Sequence, residues 1–273
     1  MRSEISAALV LETLIAGILQ SGTGYATDGS FTAQLGDVVD QDSTLIKAPE
    51  DILRAIVAPD RNLILDFGCG TGGSRRWIEN LGYLWRGVNY LEGMADQVRD
   101  QALSDGRIDF YDGLTLPYER ESFDVVYSFQ VFEHIQDIGK TFGEIERVLK
   151  PGGALVGAVS YLEQIHDYSM FNFTPYGLKL ACQRAGLRLE KIYPSYDVFT
   201  WMARRLLVVT SGSDENSLSE TLRRDNNIDR LFKDFSDRMG LSVRDANLFR
   251  LMFSAHMTFH IRKPDPRQGS GAL

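Results

Sequence analysis

Cysteine is scarce, with only Cys69 and Cys182 in 273 residues. That count excludes a disulfide framework, and no group of residues has metal-ligand spacing. An excess of positive charge is also missing. The 29 Lys and Arg stand against 37 Asp and Glu, a formal net charge of -8, which disfavours a surface that grips nucleic acid by neutralising phosphates. No uninterrupted apolar run is long enough to cross a bilayer, which takes roughly 20 residues. The nearest approach, "ISAALVLETLIAGIL" (5–19), is broken by Glu12 and preceded by Glu4. An export leader would want a basic start and an uninterrupted apolar run, so a short helix packed on the protein or on a partner is expected. These absences together predict a cytoplasmic protein with reduced cysteines.

The chain has 44% hydrophobic and 24% charged residues, an ordinary balance for a globular protein. Its length suits one large domain, or one domain with an insertion. "SGTGYATDGS" (21–30) has the small, polar composition of a connector. "APEDILRAIV" then starts a helix with Pro49 in its first turn. From residue 62 short apolar runs alternate with helical patterns. The strands expected are "NLILDF", "YLWRGVNY", "RIDFYD", "FDVVYSF", "ALVGAVS" and "LRLEKIYPSY". The helices between them are "SRRWIENLG", "GMADQVRDQAL", "IGKTFGEIERVL", stopped by Pro151-Gly152-Gly153, and "TPYGLKLACQRAG", with Thr174 as N-cap. This alternation predicts an α/β fold around a parallel sheet covered on both faces. Residues 197–255 break the pattern, with Ile228, Leu231, Phe232, Phe235 and Met239 at helical spacing, before "MTFHIRK" returns to strand character.

The stretch "ILDFGCGTGG" (64–73) admits two readings. Gly68, Gly70 and Gly73 satisfy the G-x-G-x-x-G spacing of a dinucleotide turn. Asp66, Gly68, Gly70 and Gly72 instead make an acid followed by G-x-G-x-G. Either way the glycines let a ligand approach the backbone where a strand hands over to a helix. A pyrophosphate over that helix N-terminus would be repelled by Asp66, whereas a cationic amino-acid end would be attracted.

With "GVNYLEGM", "FDVVYSFQVFEHIQD" and "EIERVLKPGGAL", "LDFGCGTGG" resembles the class I S-adenosylmethionine-dependent methyltransferases, particularly their small-molecule branch. The resemblance covers about 45–196 and the last strand near 257–263. It implies a Rossmann-like seven-stranded sheet, mostly parallel with an antiparallel last strand, and a helical insertion between strands six and seven. The expected organisation is an N-terminal helix and connector (1–44), a methyltransferase core (45–196), a helical insertion serving as lid or interface (197–255), and a last strand with tail (256–273). The resemblance assigns Asp66, Gly68, Gly70 and Gly72 to the methionine part of S-adenosyl-L-methionine and Asp112 to the adenine amino group. Phe129 and Gln130 would lie beside the cofactor near its methyl. Asn89 stands where the family usually has an acid that holds the ribose hydroxyls; its amide can accept one bond and donate another.

Methyl transfer to oxygen or nitrogen requires loss of a proton, which draws attention to the four histidines. His166, in "YLEQIHDYSMFNFTPYGL" after the fifth strand, and His134, in "FEHIQD", are the catalytic candidates. His256 and His260 flank the last strand and read as structural or surface groups. Phe171, Phe173, Tyr176, Phe199 and Trp201 either line an apolar pocket or pack a core. The function expected is methylation of a small organic metabolite, on oxygen before nitrogen or carbon, in a secondary-metabolite or glycan pathway. A non-catalytic binding or dimerisation protein that keeps the fold is the alternative. No metal, nucleic acid or membrane partner is expected, and a homodimer is the assembly to test.

Overall fold

The computed structural model describes residues 2–25, 29–44, 47–90, 99–100, 102, 104–212 and 226–267. The described elements, in chain order, begin with α1 (Arg2–Ser21), α2 (Gly29–Leu35), α3 (Pro49–Ile56), β1 (Leu63–Phe67), α4 (Arg75–Asn80), β2 (Leu84–Tyr90) and β3 (Ile108–Tyr111). They continue with β4 (Phe123–Phe129), α5 (Ile138–Val148), β5 (Leu149–Ser160), α6 (Pro175–Arg184) and β6 (Arg188–Pro194). The last are α7 (Val198–Ser211), α8 (Asn227–Arg238), α9 (Val243–Met252) and β7 (His256–Arg262). Most of the expected helix "GMADQVRDQAL" lies outside the described residues, as does most of the loop after α7.

The seven strands form one sheet in the order β3-β2-β1-β4-β5-β7-β6. The pairs β1–β2, β1–β4, β2–β3 and β4–β5 are parallel, and β7 is the antiparallel strand. Next to β5, Gly152 N donates to Lys263 O while Lys263 N donates to Gly153 O, the reciprocal exchange of an antiparallel pair. The strand order reverses at β1 and β4. Their carboxyl ends therefore flank the topological switch point where open α/β sheets bind ligands.

The chain divides into two compact units. The first, Ala48–Val159, Tyr168–Lys191 and Thr258–Leu273, holds β1 to β4 and nearly all of β5. β1 is buried from Ile64 to Phe67, with Asp66 the one polar side chain among Ile64, Leu65 and Phe67. Asp124 ties three strands by accepting from Leu63 N at 3.1 Å and pairing with Lys150 Nζ at 3.0 Å. Thr174 caps α6 as expected, accepting from Gly177 N at 3.0 Å ahead of Pro175.

One boundary differs from expectation. α5 ends at Val148, and β5 starts at Leu149, so Pro151-Gly152-Gly153 belong to the strand rather than to a turn before it. The pairing jumps from Phe123↔Leu149 to Val125↔Ala154. The proline, which has no N–H to donate, is accommodated in that irregularity, helped by Gly152 at φ +74°.

The second unit, Met1–Lys47, Ser160–Asp167 and Ile192–Met257, is helical. Its core joins Ile15 of α1 to Ile228, Phe232 and Phe235 of α8 and Phe249 of α9, with Leu11, Leu19, Phe199 and Phe253 packed against it. The rings meet at 5.2 Å for Phe232–Phe249 and 5.0 Å for Phe235–Phe249. Full burial of each such side chain is worth about 1.5–3 kcal/mol. The stretch read as a connector also carries structure: Tyr25 sets its ring edge-on to Phe249, and α2 starts at Gly29. The helix-spaced apolar residues of 228–239 do face inward, but the sequence alone did not show that α1 completes their core.

Candidate functional site

The carboxyl ends of β1 to β4 in the first unit, with the described residues beyond them, carry the residues assigned to the cofactor. After β1 the chain turns through Gly68, Gly70 and Gly72 at φ +77°, +56° and +80°, a region that strongly favours glycine. At Gly68 a Cβ would overlap Val131 at 2.4 Å, so the fold itself requires glycine there. At Gly70 a Cβ would meet nothing within 4 Å among the described residues. This is the position at which a ligand can lie against the backbone.

Asp66 is buried beneath the loop, accepting hydrogen bonds from Ser74 Oγ and from Trp85 Nε1 at 3.0 Å. Burial pushes its carboxyl up to about 6, against the opposing pull of the Ser74 and Trp85 bonds. A buried carboxylate without a cation is costly, and an ammonium group near it would relieve that cost. Cys69, inside the loop, is driven further toward the thiol by burial and by the nearby Asp66. A thiol held protonated is a poor nucleophile.

Asn89, at the end of β2, is buried and directed at the loop. Its Oδ1 accepts from Gly70 N at 2.9 Å, and its Nδ2 donates to Gly70 O at 2.8 Å. The amide thus clamps both the N–H and the C=O of one residue, which a carboxylate could not do because it has no proton to donate. Asp112 follows β3 and is exposed. Its Oδ1 accepts from Leu114 N and Thr115 N, both at 2.8 Å, and these bonds, Thr115 first, hold its carboxyl below the usual range. Phe129 ends β4 with its side chain partly exposed. Gln130 follows at φ +54°, its N donating to Ala158 O at 2.9 Å. His134 closes a single turn, Phe132–His134, with its N bonded to Val131 O at 2.9 Å.

The histidine candidates fall in different units, His134 in the first and His166 in the second. In the second unit the residue that organises the polar side chains is Glu163, which the sequence reading passed over. Glu163 Oε2 accepts from Ser160 Oγ at 2.6 Å and meets His256 Nε2 at 2.8 Å. Its Oε1 accepts from Trp201 Nε1 at 3.1 Å and lies 3.7 Å from His166 Nδ1. Burial acts to raise the Glu163 carboxyl, but the His256 bond, with help from Ser160 and His166, holds it below the usual glutamate value. His256 is therefore a buried partner of Glu163 and not a surface group. His260, within β7, is lowered to about 4, chiefly by burial and then by Arg262.

The aromatic set divides as well. Phe171 and Phe173 meet edge to face at 5.3 Å beside the start of α6, near Tyr176, in the first unit. Phe199 joins the helical core, and Trp201 packs on Tyr196 and His256 in the second.

These features define a Rossmann-like α/β fold whose glycine loop is open at Gly70 above the buried Asp66. Residues 65–157 match the family described as a methyltransferase domain. A methyltransferase of Streptomyces halstedii is 36% identical over 98 residues, 34% of this chain and 35% of that protein. The sterol 4-C-methyltransferase of Caenorhabditis elegans is 32% identical over 135 residues, covering 46% and 40%. The demethylmenaquinone methyltransferase of Clavibacter sepedonicus is 30% identical over 131 residues, covering 45% and 54%. The chain thus spans about a third to a half of the length of these curated relatives. A solved S-adenosylmethionine-dependent methyltransferase from Methanosarcina mazei shares the fold, with TM-score 0.50 at 14% identity, over 81% of this chain and all of that one. Residues 65–157 thus form a methyltransferase domain, and the sheet has the fold of that S-adenosylmethionine-dependent neighbour. The open flank of Gly70 and the cation-seeking Asp66 fit that cofactor. Among the described residues no helix is long and apolar enough to cross a membrane.

Proposed function

We propose that the protein transfers a methyl group from S-adenosylmethionine to a small organic acceptor. The observation that carries this reading is the pairing of an open Gly70 backbone with buried Asp66, a cradle for an amino-acid end and not for a pyrophosphate. Asp66, with Gly68, Gly70 and Gly72, would hold the methionine part, Asp112 the adenine amino group through its remaining oxygen, and Phe129 and Gln130 the edge of the site near the methyl. Asn89 acts on the loop by holding Gly70 in place. When bound, the cofactor supplies a methyl already activated by its sulfonium. The chain's tasks are then alignment and proton removal.

His166 is the proposed base. Imidazole is the side chain most often used as a general base, and the Glu163 carboxylate lies 3.7 Å from its Nδ1, where it can orient the ring. An oxygen acceptor in a secondary-metabolite or glycan pathway is the leading reading. The likeness to a sterol 4-C-methyltransferase favours carbon as a second one, and an acceptor carbon must also lose a proton. The deciding experiment combines calorimetric titration of S-adenosylmethionine with incubation of a metabolite extract and methyl-labelled cofactor. Carbon NMR of the product distinguishes a methyl on oxygen from one on carbon or nitrogen. Absence of heat at millimolar cofactor would favour a non-catalytic binding protein. Replacing His166 by Ala should reduce turnover ~10²–10⁴-fold and remove the acidic limb of the pH–rate profile, with cofactor affinity unchanged. A fall of less than about threefold would assign the proton to His134, Tyr161, Tyr168 or water.

A further inference from the structure

The helical unit has an apolar surface that its own core leaves uncovered. Leu11, Ile15 and Leu19 of α1 turn toward that core, while Val10, Leu14 and Ile18, one helical face further round, are each more than half exposed. α7 repeats the pattern with Met202, Leu206 and Val209. Between these faces runs a groove of about 820 Å³, lined among the described residues by both helices and by Phe199. Contiguous exposed apolar surface of this kind marks a binding site, and the volume is that of a small-molecule cleft.

The end of the groove indicates what it binds. At Gln164 and Arg205 it meets a second cavity, about 200 Å³, whose walls are polar: Glu163, His166, Asp167, Trp201 and Arg204. Gln164 borders both spaces, and its buried Oε1 has no hydrogen-bond partner among the described residues. A buried acceptor left unsatisfied needs a donor from a ligand or from water. A flat lipid surface would cover the exposed faces of α1 and α7 but offer nothing to that buried oxygen. A hydroxyl at the end of an apolar chain satisfies both.

We propose that the α1–α7 groove binds the apolar tail of an amphiphilic methyl acceptor, whose hydroxyl-bearing head occupies the Glu163–His166 chamber and donates to Gln164. The substrate class is thus a long-chain or polycyclic alcohol or phenol, and the inference rests on the methyl-transfer reading above. Tail recognition comes from area removed from water, so affinity must grow with chain length. Head recognition comes from a single acceptor atom, so it must discriminate a hydroxyl from an ether.

The test uses the full chain without cofactor and measures displacement of 8-anilinonaphthalene-1-sulfonate by straight-chain alcohols from butanol to decanol. Affinity should rise about fourfold per methylene, the equivalent of ~0.8 kcal/mol per buried CH₂. Leu14→Asp and Leu206→Asp, both at exposed positions, should weaken decanol binding at least about tenfold, with S-adenosylmethionine affinity unchanged. Decanol should bind about fivefold more tightly than its methyl ether, the equivalent of ~1 kcal/mol for one hydrogen bond, and Gln164→Met should abolish that difference. Affinity that does not depend on chain length, or that both Asp variants leave intact, overturns the proposal. So does sedimentation showing that the Asp variants break a dimer, or release the protein from phosphatidylcholine–phosphatidylglycerol vesicles, while the alcohols fail to bind. A missing cofactor heat with a normal alcohol series would defeat the methyl-transfer reading alone. A normal cofactor heat without the series would defeat only this inference.

Discussion

Asp66 does its work by being in the wrong medium for a charge. Its carboxyl is raised to about 6 by burial, so the folded chain prefers it neutral. Its contribution to stability is present at low pH and lost as pH rises through about 6. An ammonium group favours the ionised form, so cofactor binding should release a proton near that pH. Affinity should fall about tenfold per unit as pH drops below about 6, and calorimetry in buffers of different protonation enthalpy would detect the proton. In Asp66→Asn the profile should be flat. Gly70→Val tests the same loop from its open side. The added side chain enters the ligand's space and forces a non-glycine residue to φ +56°, at roughly 1–2 kcal/mol of strain. Cofactor binding should be lost while far-UV dichroism stays native, and normal binding would remove the loop from the site. Glu163 has the opposite sign. Its carboxyl is held low, so its stabilisation is present above the ordinary glutamate value, about 4.3, and is lost as pH falls through the lower folded value. Glu163→Gln should lower stability at neutral pH by about 1–3 kcal/mol, with the gap closing in acid; denaturant titrations at two pH values would show it.

At the level of elements, the helical unit depends on α1, α8 and α9 sharing one aromatic core. Phe232 is almost fully buried among Phe199, Phe249 and Phe253. Phe232→Ala should cost about 3–5 kcal/mol, read as a reduced midpoint in urea. A loss below about 1 kcal/mol would mean that the helices close over the cavity. Thr174→Ala, which removes only a cap from α6, should cost ~1 kcal/mol and leave the helical unit untouched.

For the molecule as a whole, a ligand that binds only the folded state stabilises it by mass action. S-adenosylmethionine at about one hundred times its Kd should add ~2.7 kcal/mol and raise the melting temperature by several degrees, whereas NAD should not. A shift with NAD instead would revive the dinucleotide reading of the glycine loop. The net charge of -8 leads to a second expectation: negligible retention on immobilised DNA at about 0.1 M salt.

Local rules were sufficient for much of this protein. The alternation of buried runs and helical periods specified the strands from "NLILDF" to "MTFHIRK", because the two periods are properties of the backbone itself. The glycines after Asp66 marked a tight turn at the end of β1, since positive φ leaves little choice of residue. What sequence could not decide were pairings across long separations. Asn89 faces Gly70 only because β1 and β2 lie side by side, and nothing in "GVNY" shows that its amide will clamp a peptide. Glu163 is an ordinary loop acid until the fold brings Ser160, Trp201 and His256 around it. α1 read as a helix packed on the protein or on a partner, and the side it keeps exposed was determined by the helical core that took its other face. In each case the deciding energy is burial against a partner far away in the chain, which only the tertiary structure provides.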